Sequence, residues 1–196
     1  MQNPLSPDIW RELHQGCQTL TREQEKRFLK AARRADPQTR ALCELLYWTG
    51  CRLSEAIALR RDHIDTDHDC VIFRTLKQRG RGQLRAVPVP RSLIRLLYAL
   101  PAPSGRLWSY SRWTARRRLQ PVFHAADLHG PSATSRVFRH SFNARAIRRG
   151  VPDRVRRTLL GHQTQHANNQ YGQLLGYELR SFARRVWPPR WGATLL

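Results

Sequence analysis

"TRALCELLYWTGCRLSEAIALRRDHID", residues 39–65, carries two helical patterns that meet at a glycine. Apolar side chains fall at Leu42, Leu45 and Leu46 and then at Ala56, Ile57 and Leu59, with Gly50 between the two series. The spacing predicts a buried helix, a tight turn and a second helix. Upstream, Thr21 is a helix cap with an acid, Glu25, three positions after Arg22, which predicts a helix over about 21 to 34. Downstream, "CVIFRTL" (70–76) and "LRAVPVP" (84–90) are the best strand candidates, and they bracket "KQRGRGQ" (77–83), whose glycines and charges suit an exposed hairpin tip. The remaining patterned segments, "RSLIRLLYAL" (91–100), "SRWTARRRLQPVFHAADL" (111–128), "RVFRHSFNARAIRRG" (136–150), "PDRVRRTLLG" (152–161) and "GYELRSFARRVW" (176–187), read as helices separated by Pro/Gly breaks. The expected fold class is therefore α+β, mainly α, with a small antiparallel sheet. At 196 residues the chain has room for one well-buried core. Residues 1–19, with Pro4, Pro7 and Gly16, read as an N-terminal tail with room for a short helix, and residues 20–196 as one domain.

Charge narrows the function. Lysine and arginine total 35 against 14 acids, a formal +21, which exceeds what solubility needs and points to a polyanionic partner, nucleic acid first. All but three of the basic residues (Lys26, Lys30, Lys77) are arginine, the side chain suited to bidentate phosphate contacts, although a coding bias toward arginine would produce part of that excess. Thirteen arginines lie between Arg106 and Arg157 against only Asp127 and Asp153, so the positive field is concentrated there. Within it Arg116, Arg117 and Arg118 are expected on DNA phosphates, the alternative being an ordinary basic helix face.

Cys17, Cys43, Cys51 and Cys70 show no C-x-x-C spacing, and two of them sit in an apolar run. They read as reduced core residues, which places the protein in the cytoplasm. No apolar run approaches the roughly 20 residues of a membrane span, and the N-terminus lacks a signal-peptide pattern. Two stretches raise the question of a metal. "DHIDTDHD" (62–69) has four acids and two histidines but lacks the glycine and terminal glutamate of a calcium loop, and reads as a turn between a helix and a strand. "LLGHQTQHANNQY" (159–171) places His162 and His166 four apart, with no third ligand at a recognisable spacing.

Four pieces stand out in order: "TGCRLSEAIAL" with Arg52, "TLKQRGRGQLRAVPVP" with Lys77, "RVFRHSF" with Arg139-His140, and "LLGHQTQHANNQY" with His162 and, nine residues on, Tyr171. Together they resemble the tyrosine recombinase (phage integrase) family from about residue 20 to the end. The resemblance implies a catalytic-domain fold in which Tyr171 is the nucleophile, Arg52 and Arg139 clamp the phosphate, Lys77 protonates the departing 5′ oxygen and His162 hydrogen-bonds the phosphate. The residue types suit that chemistry. A tyrosine hydroxyl with a pKa near ~10 attacks a phosphodiester slowly unless fixed positive charge stabilises the transition state, and two always-protonated forks supply that charge. No metal, ATP or other cofactor is then required, because a covalent phosphotyrosyl bond conserves the energy of the broken one.

The chain departs from the family pattern in two places. Arg136 stands where the family usually has histidine or lysine, and arginine donates hydrogen bonds but cannot act as a base near neutral pH. Only about 19 residues precede the catalytic pattern, where the family usually has an N-terminal DNA-clamping domain, so the expectation is a short form consisting of the catalytic domain. Among supporting residues, Glu55 either holds an active-site arginine, as in the family, or forms a surface pair one turn along its helix. His140 reads first as a buried structural histidine, with phosphate contact as the alternative. Arg79 and Arg81 at the hairpin tip are further candidates for DNA contact, and Tyr177 is a weaker rival nucleophile. The expected activity is site-specific recombination of double-stranded DNA by a homo-oligomer, a synaptic tetramer on DNA, with room for a second recombinase or an accessory DNA-binding protein. In the family the C-terminal helix, here residues 177 to 187, can pack onto a neighbouring subunit. The alternatives are an accessory DNA-binding protein that has lost strand transfer and a topoisomerase-like nicking-closing enzyme.

Overall fold

The computed structural model describes residues 19–74, 84–161 and 176–187. Helices dominate. In chain order they are α1 (Arg22–Ala32), α2 (Pro37–Thr49), α3 (Leu53–Ile57), α4 (Arg91–Tyr98), α5 (Arg112–Ala125), α6 (Arg136–Arg148), α7 (Asp153–Leu160) and α8 (Gly176–Val186). Between α3 and α4 lie β1 (Ile64–Asp65), β2 (Cys70–Arg74) and β3 (Leu84–Pro88).

Local chemistry explains the helix starts. Thr21 and Gln24 cap α1 reciprocally, Thr21 Oγ1 accepting from Gln24 N at 3.2 Å and Gln24 Oε1 from Thr21 N at 2.8 Å. Asp36 accepts from the Gln38 and Thr39 N–H groups at 3.1 Å each and caps α2, whose first residue is Pro37. As the sequence predicts, α2 is buried on nearly every side, with Leu42, Leu45 and Leu46 inaccessible. It packs against α1, α4 and α6. Phe28 of α1, Phe123 of α5 and Phe138 of α6 form one aromatic cluster, with ring centroids 4.4–5.8 Å apart.

The sheet is antiparallel in the order β1-β2-β3. β2 and β3 match the two expected strands, paired Cys70 with Pro88 through Arg74 with Leu84. The 62–69 stretch does turn, and it also contributes β1, pairing Ile64 with Val71 and Asp65 with Cys70. A two-residue strand is too short to show alternation in sequence. Asp65 organises that turn, its Oδ1 accepting from Asp67 N at 3.0 Å and His68 N at 2.9 Å.

α8 packs along β3, with Leu179, Ala183 and Val186 buried. Arg180 bonds Asp69 at 2.6 Å, and the Trp187 ring meets Trp48 edge-on. Here the C-terminal helix thus covers its own chain's sheet. Cys43, Cys51 and Cys70 are buried free thiols, while Cys17 lies outside the described residues; burial pushes all three up, Cys51 to about 12 and Cys70 to about 11. No helix among the described residues is long and apolar enough to cross a membrane.

Candidate active site

The turn at Gly50 sets the site. Gly50 ends α2 in the left-handed conformation (φ 60°), and a Cβ there would stand 2.9 Å from Cβ of Phe142. The chain therefore reverses tightly against α6 and delivers Arg52 to the start of α3, beside Arg139 from the opening turns of α6. Arg139 is half-buried and spans two turns. Its Nη1 donates to the Gly50 carbonyl at 3.1 Å and its Nη2 to the Leu160 carbonyl at 2.7 Å. The same side chain thus ties the turn before Arg52 to the C-terminus of α7, which ends at Gly161, also left-handed (φ 64°).

Beneath the arginines lies Glu55, 3 % exposed, whose carboxylate receives four donors. Oε1 accepts from Arg52 Nη1 at 2.9 Å and Arg85 Nη1 at 3.2 Å. Oε2 accepts from the Arg52 backbone N–H at 2.9 Å and Arg85 Nη2 at 2.8 Å. Burial raises the Glu55 pKa, but the Arg85 hydrogen bond and charge, with Arg52 behind them, more than reverse this and hold it below the ordinary carboxylate value. Glu55 is therefore ionised and serves two arginines. The i,i+3 pair with Arg52 does form, but with the carboxylate buried beneath the arginine rather than on the surface.

Arg85, 8 % exposed, is the residue that sequence reading missed. Its Nε donates to the Leu159 carbonyl at 3.2 Å, and its guanidinium stacks 4.9 Å from the Phe73 ring centroid. A signal was present: Arg85, Val87 and Val89 share one strand parity, and a charge on the face that carries two valines is a buried charge in need of a partner.

The cluster is short of negative charge. Arg52, Arg85 and Arg139 surround one carboxylate, and the pKa of Arg139 is lowered to about 10, first by burial and then by the Arg52 charge. It remains cationic at neutral pH. Each Nη of Arg139 keeps a second N–H beyond its carbonyl bond, and among the described residues Arg52 uses only Nη1 of its side chain. Two part-exposed guanidinium forks, positioned from below and deficient in counter-charge, suit an anion presenting two oxygens, such as a phosphodiester.

The other sequence candidates fall into three places. Arg136 opens α6 and is exposed. His140, expected to be buried, is exposed: on α6 the inward positions go to Val137, Phe138, Ser141 and Phe142, and residue 140 falls on the opposite face. Arg116, Arg117 and Arg118 are exposed on α5; Arg117 lies 4.8 Å over the Trp113 ring, while Arg118 lies over Tyr110 and pairs with Asp36 at 3.4 Å. Lys77, Arg79, Arg81, His162 and Tyr171 lie outside the described residues.

The sequence model of the Phage integrase family matches residues 18–175. Tyrosine recombinase XerD of Mycobacterium tuberculosis is 33% identical over 173 residues, covering 76% of this chain and 51% of that protein. Tyrosine recombinase XerA of Thermococcus kodakarensis is 29% identical, covering 82% and 60%. The chain thus spans about half of the first of these relatives and three-fifths of the second. Among solved structures, the integrase from mycobacterium phage Brujita superposes with a TM-score of 0.67 at 18% identity, over 85% of this chain and 57% of that one. A XerA recombinase superposes with a TM-score of 0.64 at 21% identity, over 87% and 65%. At such identities the superpositions establish the fold, and the match over residues 18–175 establishes the kinship: this chain belongs to the phage integrase family, with the catalytic-domain fold of a tyrosine recombinase.

Proposed function

We propose that the chain is a site-specific DNA recombinase that breaks and rejoins strands through a covalent 3′-phosphotyrosyl intermediate. The observation that carries this reading is the pair Arg52 and Arg139, brought from separate helices to one turn and left with more positive charge than Glu55 balances. In the proposed reaction the two guanidinium groups bind the non-bridging oxygens and stabilise the charge that grows on them. Tyr171 Oη bonds to phosphorus, the bond from phosphorus to the 5′ oxygen breaks, and Lys77 gives that oxygen its proton. The tyrosyl proton passes to water, since Arg136 is a donor only. His162 hydrogen-bonds the phosphate. Attack by another strand's 5′ hydroxyl reverses these steps and frees Tyr171.

Double-stranded DNA is the partner that the +21 charge and the exposed arginines of α5 favour, with Arg79, Arg81, Arg116, Arg117 and Arg118 on phosphates. XerH, a structural neighbour with a TM-score of 0.64 at 19% identity, was solved bound to its difH substrate. Paired sites imply a synaptic tetramer, with or without a second recombinase or accessory protein, acting where the DNA is, in the cytoplasm.

The test uses nicked suicide DNA carrying the site, and reads the covalent protein–DNA complex by denaturing gel. Wild type is expected to form it with or without a chelator, and Tyr171→Phe is expected not to. Binding without an adduct would sink the proposal in favour of an accessory factor, and an adduct that survives Tyr171→Phe would remove the nucleophile from that position.

A further inference from the structure

We infer that Arg85 is a positioning residue for strand cleavage, holding Arg52 through Glu55 with one end of its fork and the Leu159–Gly161 turn, which leads into His162, with the other. The inference rests on the recombinase reading and gives a role to a residue to which the resemblance assigns none.

Like Arg139, Arg85 touches both halves of the site, and it does so from beneath, through Glu55. Toward α3 it makes a bidentate pair with Glu55, at 3.2 and 2.8 Å, and Glu55 in turn holds Arg52 by side chain and backbone. Toward α7 its Nε donates to the Leu159 carbonyl. Gly161 rests directly on the guanidinium: a Cβ there would lie 2.7 Å from Nη1 and 2.9 Å from Cζ. The surrounding core gives it no freedom, since Phe73 beneath it and Glu55 beside it are both buried. Its charge would be costly in such a place without a pair, and lysine, a point charge on a flexible stem, does not reproduce three directed bonds in one plane. The arrangement therefore couples two distances. The position of Arg52 relative to α3 and the position of the α7 C-terminus relative to β3 are set by one rigid group, and a shift of about 1 Å at a reacting centre costs on the order of 10²-fold in rate.

The experiment compares wild type, Arg85→Lys, Arg85→Met, Arg85→Ala and Tyr171→Phe. Single-turnover adduct formation on nicked DNA is measured beside DNA-binding affinity, thermal unfolding and hydrogen exchange at the Leu160 and Gly161 amides. Arg85→Lys is expected to bind DNA within about twofold of wild type, to form adduct at least tenfold more slowly, and to exchange those amides faster. Guanidinium ion added at millimolar concentration is expected to restore part of the cleavage rate to an Arg85→Ala protein and none to Tyr171→Phe. If Arg85→Met does not fold, Arg85→Lys decides. Cleavage by Arg85→Lys within twofold of wild type overturns the inference, as does a loss that merely follows weakened DNA binding. No adduct from wild type overturns the recombinase reading instead, and the exchange rates then decide whether Arg85 holds the turn at all.

Discussion

Glu25 and Glu55 are both buried glutamates met by a buried arginine, and they do opposite things. Glu25 joins α1 to α2 and α6: Arg145 Nη1 donates to it, Arg145 Nη2 donates to the Tyr47 carbonyl at 2.9 Å, and Tyr47 Oη donates back to Glu25 at 3.2 Å. The Arg145 guanidinium lies 4.5 Å from the Tyr47 ring centroid. One positive and one negative charge meet there inside a shell of apolar side chains. Around Glu55, by contrast, two guanidinium groups pair with one carboxylate and a third, Arg139, stands nearby on backbone carbonyls, so that Arg52 and Arg139 are left reaching toward solvent. A balanced pair is finished once the chain folds. An unbalanced cluster still has charge to satisfy, and in the proposed reaction a substrate phosphate would satisfy it. The difference separates a joint from a site, although the residue types are the same.

The widest separation between the two regions should appear in cleavage. Arg139→Gln and Arg52→Gln are each expected to slow adduct formation by about 10²–10³-fold, the scale for removing one directed donor from a developing oxyanion, with little change in unfolding. Glu25→Ala is expected to leave cleavage per folded molecule unchanged. A comparable fall in both would erase the distinction.

Stability should rank them the other way. Removing Arg145 alone, as Arg145→Met, strands Glu25 in the core and is expected to cost about 3–5 kcal/mol. Pairing it with Glu25→Gln should recover a large part of that cost. Urea titration of the two singles and the double measures this, and a double variant as unstable as the sum of its singles would argue against a buried coupled pair.

A smaller effect tests the left-handed turn before His162. Gly161→Ala must adopt φ 64°, worth about 1–2 kcal/mol against an L side chain, and its Cβ also presses on Arg85. It should therefore lower stability by at least that amount and slow cleavage, whereas Gly150→Ala, at the same φ with open space around it, should cost stability only.

Acid should distinguish Glu55 in a gentler way. Its folded pKa lies below the ordinary 4.5, so its stabilisation is complete above the unfolded value and is lost as pH falls through the folded one. The urea midpoint of wild type should drop on acidification below about pH 4.5, and Glu55→Gln should drop less steeply. Equal slopes would show that Glu55 is not held ionised in the fold.

Much of this was legible in the chain. The periodic apolar residues of 39–65 located α2, the Gly50 turn and α3, because burial of one helical face leaves a 3.6-residue trace. The apolar, β-branched segments 70–76 and 84–90, bracketing a charged glycine-rich tip, located β2 and β3. Arg52 and Arg139 were recognisable by order and spacing, and the structure brings both to the Gly50 turn. β1 was too short to leave a trace, and His140 was misjudged because a single histidine in an arginine-rich helix does not reveal its face.

What the sequence alone determined is the set of helices, the strands β2 and β3, the concentration of positive charge and the identity of the paired arginines. All four are written in local periodicity, composition and motif spacing. Only the tertiary structure decided which carboxylate serves which arginine, that Arg85 lies between Glu55 and the α7 C-terminus, and that Glu25 and Glu55 differ in charge balance. The pairs concerned are 30 and 120 residues apart for Arg85–Glu55 and Arg145–Glu25. Local pattern records which side of an element is buried. It carries no record of what the rest of the chain sets against that side.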